Sequence, residues 1–294
     1  MDPYHQGSRA LQDRAGVREL ADHVGRSIGQ GIRPVAAAFL ELQPMLVLGA
    51  AAAPAGPVWA SLLTGTPGFV RATGPRQISV AGGPRPDDPL TAALAEDGTP
   101  VGTLALDPRT RRRMRLNGHS RPTPRGLAIE ADQVFSNCPK YLQKRDLYEP
   151  GPAHHPAAPQ SGTQLAPHQQ EFIREADTFF LATVHDHGAD AGHRGGNPGF
   201  VRVTSPRELR WTDFAGNSMF LSLGNLETDP RAGLLFLDWA TGTTLQLTGE
   251  ARTEHTPDGR REIRFTLASA VETASASPLR WSPPELSPAN PPNP

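Results

Sequence analysis

An internal repeat constrains the fold of this 294-residue chain more than any other feature of its sequence. Residues 67–118 align without a gap on residues 198–249, at a constant offset of 131 positions (198 minus 67). Seventeen of the 52 aligned pairs are identical, and "PGFVRATGPR" matches "PGFVRVTSPR" in eight of ten positions. A unit of this length exceeds the repeat periods of solenoid proteins. The sequence therefore predicts one domain that is present twice.

Each half shows the same order of predicted elements: a helix, three strands, a short helix and two further strands. The predicted strands of the first half are Met45–Leu48, the FVR segment, "QISV", Gly102–Leu106 and Arg113–Asn117. Those of the second half are Phe179–Val184, the FVR segment, "ELRWTD", Gly233–Trp239 and Thr243–Thr248. Mostly antiparallel strands with two small helices favour a mainly β fold, with a β-barrel in each half, over an α/β sheet.

The pattern divides the chain into five segments. We expect an N-terminal helical segment over residues 1–34, a first barrel over 35–147, a linker over 148–166, a second barrel over 167–274 and a disordered tail over 275–294. The first segment shows amphipathic spacing of Leu11, Val17, Leu20 and Val24. The linker and the tail are rich in Pro and Ala and lack apolar periodicity. Trp281 is expected to be solvated, and removal of residues 275–294 is expected to leave folding and ligand binding intact.

Charge and composition exclude several classes of protein. The formal net charge is −1, which gives no electrostatic reason to expect a nucleic acid or an anionic membrane as partner. The single cysteine, Cys138, cannot form an internal disulfide. The N-terminus lacks the apolar core of a signal peptide, and no window approaches the ~18 apolar residues of a membrane span. These features predict a cytoplasmic protein that binds neither nucleic acid nor membrane.

The stretch "HRGGNPGFVRV", from His193 to Val203, combines a Gly-Gly-Asn-Pro-Gly cluster with an arginine inside a strand-like segment. Bare backbone N–H groups next to a guanidinium can hold an anionic group such as a phosphate. A surface hairpin whose arginine points at water explains the same residues. From this stretch alone the two interpretations stay open.

A second basic stretch, "DPRTRRRMRLNG", holds five arginines between Arg109 and Arg115. At period two, Arg111, Arg113 and Arg115 would share one strand face and form an anion clamp. A solvated strand edge, where charge blocks aggregation, is the alternative.

Two other groups of residues carry weaker signals. In "HDHG", His185, Asp186 and His187 are metal-ligating residue types, but no Cys or carboxylate motif accompanies them, and the same holds for the linker pair His154 and His155. A polar turn is favoured, and we predict no metal site. Cys138 has no neighbouring histidine to act as a base, which favours a packed thiol over a nucleophile.

The second half resembles a known family. "FFLATV", "HRGGNPGFVRV", "ELRWTDFAGNSMFLSLGNLETDPRAGLLFLDW" and "TLQLTGEA" are together similar to the pyridoxamine 5′-phosphate oxidase-like family of FMN-binding split barrels, over about residues 168–270. The first half resembles the family through "TGTPGFVRA", "VGTLALD" and "RLNG". The resemblance implies two tandem split barrels. Relatives pair as homodimers with flavin in the cleft between subunits, so a tandem chain would form that pair as an intrachain pseudo-dimer.

The resemblance also implies which residues hold the cofactor. Arg202 falls where the family carries a phosphate-binding basic residue, and the glycine-rich loop before it would approach the same phosphate. Asn217 and Ser218 fall at a helix start, where free N–H groups favour an anion. The implied cofactor-binding residues are Arg194, Gly195, Gly196, Asn197, Arg202, Trp211, Thr212, Asn217, Ser218 and Gln246, with Arg71 and Arg113 from the first half.

The sequence also departs from the family's vitamin B6 enzymes. Those enzymes carry an R-x-V-L-L-K strand and an S-R-K turn, whereas this chain reads G-F-V-R-V and G-N-S-M, so both lysines are absent. The resemblance thus implies an FMN-dependent oxidoreductase that acts on an unidentified small molecule, and the absent lysines argue against the vitamin B6 reaction itself. A reductase partner and further homodimerisation are compatible with it. Alternatives are a flavin-, deazaflavin- or heme-binding module without turnover, and a catalytically inactive scaffold.

Overall fold

The computed structural model of the chain describes residues 2–146, 148–150, 156–186, 188–257 and 260–293. His154, His155 and His187, which the sequence offered as weak metal candidates, lie outside these ranges. Among the described residues, no helix combines the length and the apolar character needed to cross a membrane.

Two antiparallel sheets dominate the structure. The strands of the first sheet are β1 Met45–Ala51, β2 Val58–Thr64, β3 Val70–Ala72, β4 Gln77–Ala81, β5 Thr99–Asp107, β6 Arg112–Thr123 and β7 Gly126–Ser136. The later strands are β8 Tyr148–Pro150, β9 Gln160–Gly162, β10 Thr178–His185, β11 Gly188–Gly195, β12 Val201–Ser205, β13 Glu208–Thr212, β14 Arg231–Leu237, β15 Thr244–His255, β16 Arg261–Thr273 and β17 Leu279–Trp281. The helices are α1 Gln6–Arg14, α2 Arg18–Gly25, α3 Pro34–Glu41, α4 Thr91–Leu94, α5 Pro167–Glu175 and α6 Leu221–Thr228.

The two sheets share one topology. The first runs in the order β2-β1-β5-β6-β7-β4-β3, and the second runs in the order β11-β10-β14-β15-β16-β13-β12, with β9 added beside β16. Each strand of the first sheet thus has a counterpart at the same place in the second. The prediction of a mainly β fold built from two repeated barrels is confirmed.

One glycine in each half shows why the repeat keeps its small residues. The ladder between β6 and β7 shifts register between Asn117 and Gly118, and the ladder between β15 and β16 shifts between Thr248 and Gly249. A Cβ atom would lie 1.8 Å from the Glu130 carbonyl oxygen at Gly118 and 2.0 Å from the Thr266 carbonyl oxygen at Gly249. The aligned "LNG" and "LTG" motifs therefore mark the same β-bulge.

The sequence missed two strands that the sheets have in common, and it also missed β9, which the expected linker adds beside β16. The first missed pair is β2 and β11, and the second is β7 and β16. The segment of β11 reads "GADAGHRG", which has no β-branched residue and so carries no strand signal. It forms a strand because its backbone pairs with β10 from end to end and is buried between the two halves. Tertiary burial here overrides the local preference.

The two halves pack through reciprocal glycine contacts. A Cβ atom at Gly102 of β5 would lie 2.4 Å from the backbone nitrogen of Ala191 in β11. At the matching position in the second half, a Cβ atom at Gly233 of β14 would lie 2.6 Å from the Cα atom of Trp59 in β2. Each missed edge strand thus lies close against the other half's sheet. This exchange gives the chain an approximate twofold arrangement and creates clefts between the halves.

The N-terminal segment is two helices and not one. The chain breaks between α1 and α2 at Gly16, whose φ of +66° suits glycine. Leu11 is buried against the second half, whereas Leu20 remains 52% exposed. Helix α1 lies against α6 so closely that a Cβ atom at Gly7 would be 2.1 Å from the Gly224 carbonyl oxygen.

The C-terminal tail is ordered, contrary to the sequence-based expectation. Strand β17 pairs with β8, and Trp281 is only 6% exposed, packed between Tyr148 and Trp239. Further along, the Ser287 backbone N–H donates to Gln143 over 2.7 Å. The tail's composition is typical of disorder, but its few anchoring residues find partners far away in sequence, which local composition cannot reveal.

Candidate functional site in a basic cleft between the halves

One cleft with a volume of about 420 Å³ lies between the two halves. We call it the basic cleft. Its first wall comes from β6 and the segment after β7, with Arg113, Arg115, Asn137 and Tyr141. Its second wall comes from the end of β11, from Trp211 and from the continuous run 212–223 that leads into α6. The volume falls in the range of small-molecule sites, about 300–1,000 Å³. One chain supplies both walls.

The basic cleft carries positive charge that the protein itself does not neutralise. Within the described part of the chain, neither Arg113 nor Arg194 forms an ion pair with a carboxylate, although both line the cleft. Burial, together with the nearby Arg115 and Arg194, lowers the pKa of Arg113 to about 9. Burial also lowers the pKa of Arg194. A bound anion would relieve both effects.

His193 completes this group as a neutral hydrogen-bond donor. Burial and the surrounding arginines, Arg113 first, hold the pKa of His193 well below its ordinary value. A guanidinium nitrogen of Arg113 lies 2.7 Å from Nδ1 of His193. Because an arginine can only donate, Nδ1 accepts and the proton of the neutral ring sits on Nε2. That Nε2–H group has no hydrogen-bond partner among the described residues.

Five polar atoms in the cleft walls, this one included, are buried without a partner in the described part of the chain. They are Nε of Arg113, Nε of Arg115, Oδ1 of Asn137, Nε2 of His193 and Nε1 of Trp211. Leaving a buried donor unpaired costs about 1–3 kcal/mol, so native proteins leave few of them. Four of these five atoms are N–H donors. Their concentration in one cleft fits a ligand with acceptor oxygens or ring nitrogens.

The backbone around the cleft is strained at three residues. Tyr141, Ser218 and Phe220 have φ values of +64°, +61° and +53°, a region that non-glycine residues rarely adopt. Helix α1 fixes part of this strain, because Gln12 donates to the Met219 carbonyl oxygen and Ser8 donates to that of Phe220. Strained residues of this kind cluster at functional sites.

A buried carboxylate ties the two walls together. Asp190 of β11 accepts hydrogen bonds from Arg115 at 2.8 Å, from Ser222 at 2.6 Å and from Asn117 at 3.2 Å. Burial alone would raise the pKa of Asp190, but Arg115 and the two hydrogen bonds outweigh it and lower the pKa. Asp190 therefore stays ionised and pairs with Arg115, whereas Arg113 and Arg194 have no ion-pair partner among the described residues.

Seven of the sequence-predicted site residues line the basic cleft. They are Arg113, Arg194, Gly195, Trp211, Thr212, Asn217 and Ser218. The remaining five, Gly196, Asn197, Arg202, Gln246 and Arg71, are not part of its lining. The predicted residues at the ends of β11 and β13 and before α6 therefore lie in the cleft. The glycine-rich turn after β11 and the arginines of β3 and β12 lie outside it.

Arg202 shows why its strand lies outside the cleft. Its guanidinium forms an ion pair with Glu262, and its side chain is 44% exposed. Glu262 also pairs with Arg210, so Arg202 belongs to a surface network of charges. Its counterpart Arg71 is exposed on β3 of the first sheet. Of the two interpretations of the FVR arginine, the surface hairpin describes its position.

The glycine-rich turn after β11 has a structural role. A Cβ atom at Gly196 would lie 2.6 Å from the Phe200 ring, so the turn closes only with glycine there. Asn197 accepts a hydrogen bond from Asn290 of the C-terminal tail. Gln246 lies elsewhere again, buried against Ser61 of the first half.

The predicted site does not include His193 and Tyr141, which line the cleft, or Asp190, which lies behind the wall and holds Arg115. His193 belongs to the quoted motif, whereas Asp190 and Tyr141 have no local sequence signal. For the arginine clamp, only Arg113 and Arg115 lie in the cleft, because Arg111 has a φ of +51° and turns towards Glu285. The period-two spacing of Arg113 and Arg115 was the usable signal.

Comparison with known proteins supports the resemblance in the second half. Residues 165–288 match the family model described as pyridoxamine 5′-phosphate oxidase. No curated protein sequence matches the chain. Among solved structures, HupZ from Group A Streptococcus is similar at 9% identity and a TM-score of 0.30, covering 35% of this chain and 90% of its own.

Two flavoproteins are among the similar structures. An FAD-binding protein from Mycobacterium smegmatis shares 12% identity at a TM-score of 0.28, covering 40% of this chain and 98% of its own. An FAD-binding protein from Mesorhizobium loti shares 10% identity at a TM-score of 0.29, with the same two coverages.

Proposed function

We propose that the protein binds FMN in the basic cleft and acts as a flavin-dependent oxidoreductase on a small molecule. The observation that carries this proposal is the pair of unneutralised arginines, Arg113 and Arg194, beside the unpartnered Nε2–H of His193. A phosphate monoester carries two negative charges near neutral pH and several acceptor oxygens, which match these groups in charge and in hydrogen bonding. The match of residues 165–288 to the family model supports the same cofactor class.

Each residue of the cleft has a role that follows from its position. Arg113 and Arg194 would hold the phosphate, and His193 would donate to it or to a neighbouring acceptor. Trp211 is 1% exposed and packs edge-on against Phe179, so it gives the cleft a rigid apolar wall with one N–H donor. Asp190 fixes Arg115 and the first turn of α6, which keeps the two walls at one separation.

A contact between the two halves lies among the lining residues of the cleft. The hydroxyl group of Tyr141 donates to the Ala215 carbonyl oxygen over 2.9 Å, and its ring lies 5.3 Å from that of Phe214. This contact would limit the access of water to a bound ligand. A bound flavin would supply hydride or electron transfer, which no side chain of the cleft can perform alone.

The visible absorption spectrum of the purified protein, before and after reduction, tests the proposal. We expect flavin bands that a reductant bleaches and oxygen restores, or the uptake of added FMN. A sharp Soret band would assign the cleft to heme, and failure to take up FMN, deazaflavin or heme would favour the scaffold alternative. Turnover with NAD(P)H and an acceptor then separates an oxidoreductase from a module that only binds its ligand.

A further inference from the structure

The repeat predicts a second cleft, related to the basic cleft by the approximate twofold arrangement. Its residues can be identified from the strand ladders without any assumption about ligands. In the second sheet, Phe179 and Phe180 stand opposite Arg194 and His193. In the first sheet, the matching residues Leu46 and Val47 stand opposite Leu63 and Leu62. Two leucines thus replace the arginine and the histidine.

The other wall of the second cleft has changed in the same way. Leu104 and Leu106 of β5 stand opposite Arg115 and Arg113. Their counterparts in β14, Leu235 and Leu237, stand opposite Gln246 and Thr244. At the four ladder positions where the basic cleft has three arginines and a histidine, the second cleft has no ionisable group.

A closed hydrogen-bond network fills the space that this exchange leaves. Nε2 of Gln246 lies 3.0 Å from the Ala60 carbonyl oxygen, 3.1 Å from Oγ of Ser61 and 3.2 Å from Oδ2 of Asp88. Ser61 in turn donates to Oδ1 of Asp88 over 2.6 Å. None of the side chains in this network has an unpartnered buried atom, whereas the basic cleft has five.

Two of the residues that replace the charged groups are buried. Leu63 belongs to the hydrophobic core of the first half and is 4% exposed, and Gln246 is 4% exposed. A phosphate placed there would meet apolar side chains and the Asp88 carboxylate without a cation at any of the four ladder positions. Burying an anion without a partner is strongly unfavourable.

We infer that the chain binds one flavin, in the basic cleft, and that the second cleft has become a structural contact held by Gln246, Ser61 and Asp88. This inference rests on the proposed function for the identity of the ligand. It predicts that each chain binds one equivalent of ligand. A dimer of identical subunits with this fold would instead have two equivalent clefts and bind two.

Equilibrium dialysis with two separate probes, FMN and inorganic pyrophosphate, tests the inference. The proteins are the full-length chain, stripped of co-purified ligand, and its variants Arg113→Gln and Arg194→Gln. We expect one equivalent of probe per wild-type chain and at least a tenfold loss of affinity in both variants. Circular dichroism and the melting temperature establish that each variant is folded, and the second variant covers the case in which the first is not.

The outcomes separate this inference from the proposed function. Two equivalents per wild-type chain, or one equivalent retained at wild-type affinity in the folded variants, would overturn the single-cleft inference even if FMN binds. If pyrophosphate binds at one equivalent and depends on Arg113 while FMN does not bind, the single cleft stands and the flavin assignment fails. If neither probe binds the wild-type chain, both proposals fail.

Discussion

Arg113 in the first half donates to Nδ1 of His193 in the second half over 2.7 Å. The contact joins the two walls of the basic cleft and fixes the tautomer of the histidine. Arg113 also donates to the Cys138 carbonyl oxygen over 2.8 Å, so its guanidinium is held from both sides of the cleft. The electrostatics of the site therefore depend on a pair that forms only when the two halves of the chain pack together.

Arg113→Ala should weaken FMN binding. A hydrogen bond to a charged group contributes about 1.5–3 kcal/mol, which corresponds to a roughly 10- to 150-fold higher dissociation constant. Riboflavin, which lacks the phosphate, should lose much less affinity. Quenching of flavin fluorescence measures both constants. Arg202→Ala is the matched control, because that arginine lies in the surface network with Glu262. A larger loss in the control than in Arg113→Ala would move the site to the FVR strand.

His193→Gln should change how the stability depends on pH. The unfolded chain takes up a proton on this histidine near pH 6.5, whereas burial and Arg113 hold the pKa of folded His193 well below that value. Its contribution to stability is therefore complete above pH 6.5 and is lost as the pH falls below 6.5, by at most about 1.4 kcal/mol per pH unit.

The measurement is urea unfolding of both proteins at pH 7, 6 and 5. The free energy of unfolding should fall less steeply with acidification in the variant than in the wild type. Because the comparison uses slopes, a general loss of stability in the variant does not affect it. Equal slopes would show that His193 titrates alike in the folded and unfolded chains.

Trp281→Ala should destabilise the protein. The side chain is 6% exposed between Tyr148 and Trp239, and truncation of a buried aromatic residue costs about 3–5 kcal/mol. Chemical denaturation of the variant checks this value. Leu286→Ala, at a residue of the same tail that is 41% exposed, should stay within about 0.5 kcal/mol of the wild type. A neutral Trp281 variant would restore the original expectation of a solvated tail.

Gly7→Ala should separate α1 from α6. A methyl group at Gly7 would lie 2.1 Å from the Gly224 carbonyl oxygen, which is backbone and cannot rotate away. Overpacking of this kind costs about 1–3 kcal/mol. Because α1 also holds the carbonyl groups of Met219 and Phe220, FMN affinity should fall together with stability.

Thermal unfolding and FMN titration of this variant provide the two readouts. Gly83→Ala serves as the control, because nothing lies within 4 Å of a Cβ atom there. Reduced stability with unchanged FMN affinity would show that the loop 217–220 keeps its conformation without α1.

The repeat made most of the fold predictable, and burial between the halves accounts for the rest. The aligned motifs around Gly118 and Gly249 marked equivalent bulges. The constant offset of 131 positions in the alignment also matched β3 with β12 and β4 with β13. Strand β11 was missed because its sequence is poor in β-formers, and it is a strand only through pairing and packing.

The candidate site was predictable where local motifs face the cleft. Arg113, Arg194 and Trp211 stand on strands whose spacing or family resemblance pointed to the site, and the structure places them together. Arg202 and Gln246 belong to equally suggestive motifs but lie elsewhere. The spacing of residues does not show which face of a strand points into the cleft, as for Arg202. It also does not show which of the two repeated clefts a residue lines, as for Gln246. The contact between Arg113 and His193 joins residues 80 positions apart, which no local pattern reports.

The reciprocal packing of Gly102 and Gly233 has a consequence for how the site responds to dilution. In a dimer of separate subunits, a cleft between them is lost when the concentration falls below the dissociation constant of the pair. Here a covalent connection keeps the two walls at a high effective concentration of each other. The ligand affinity of this protein should therefore be the same at nanomolar and at micromolar protein, as for a monomeric binding site.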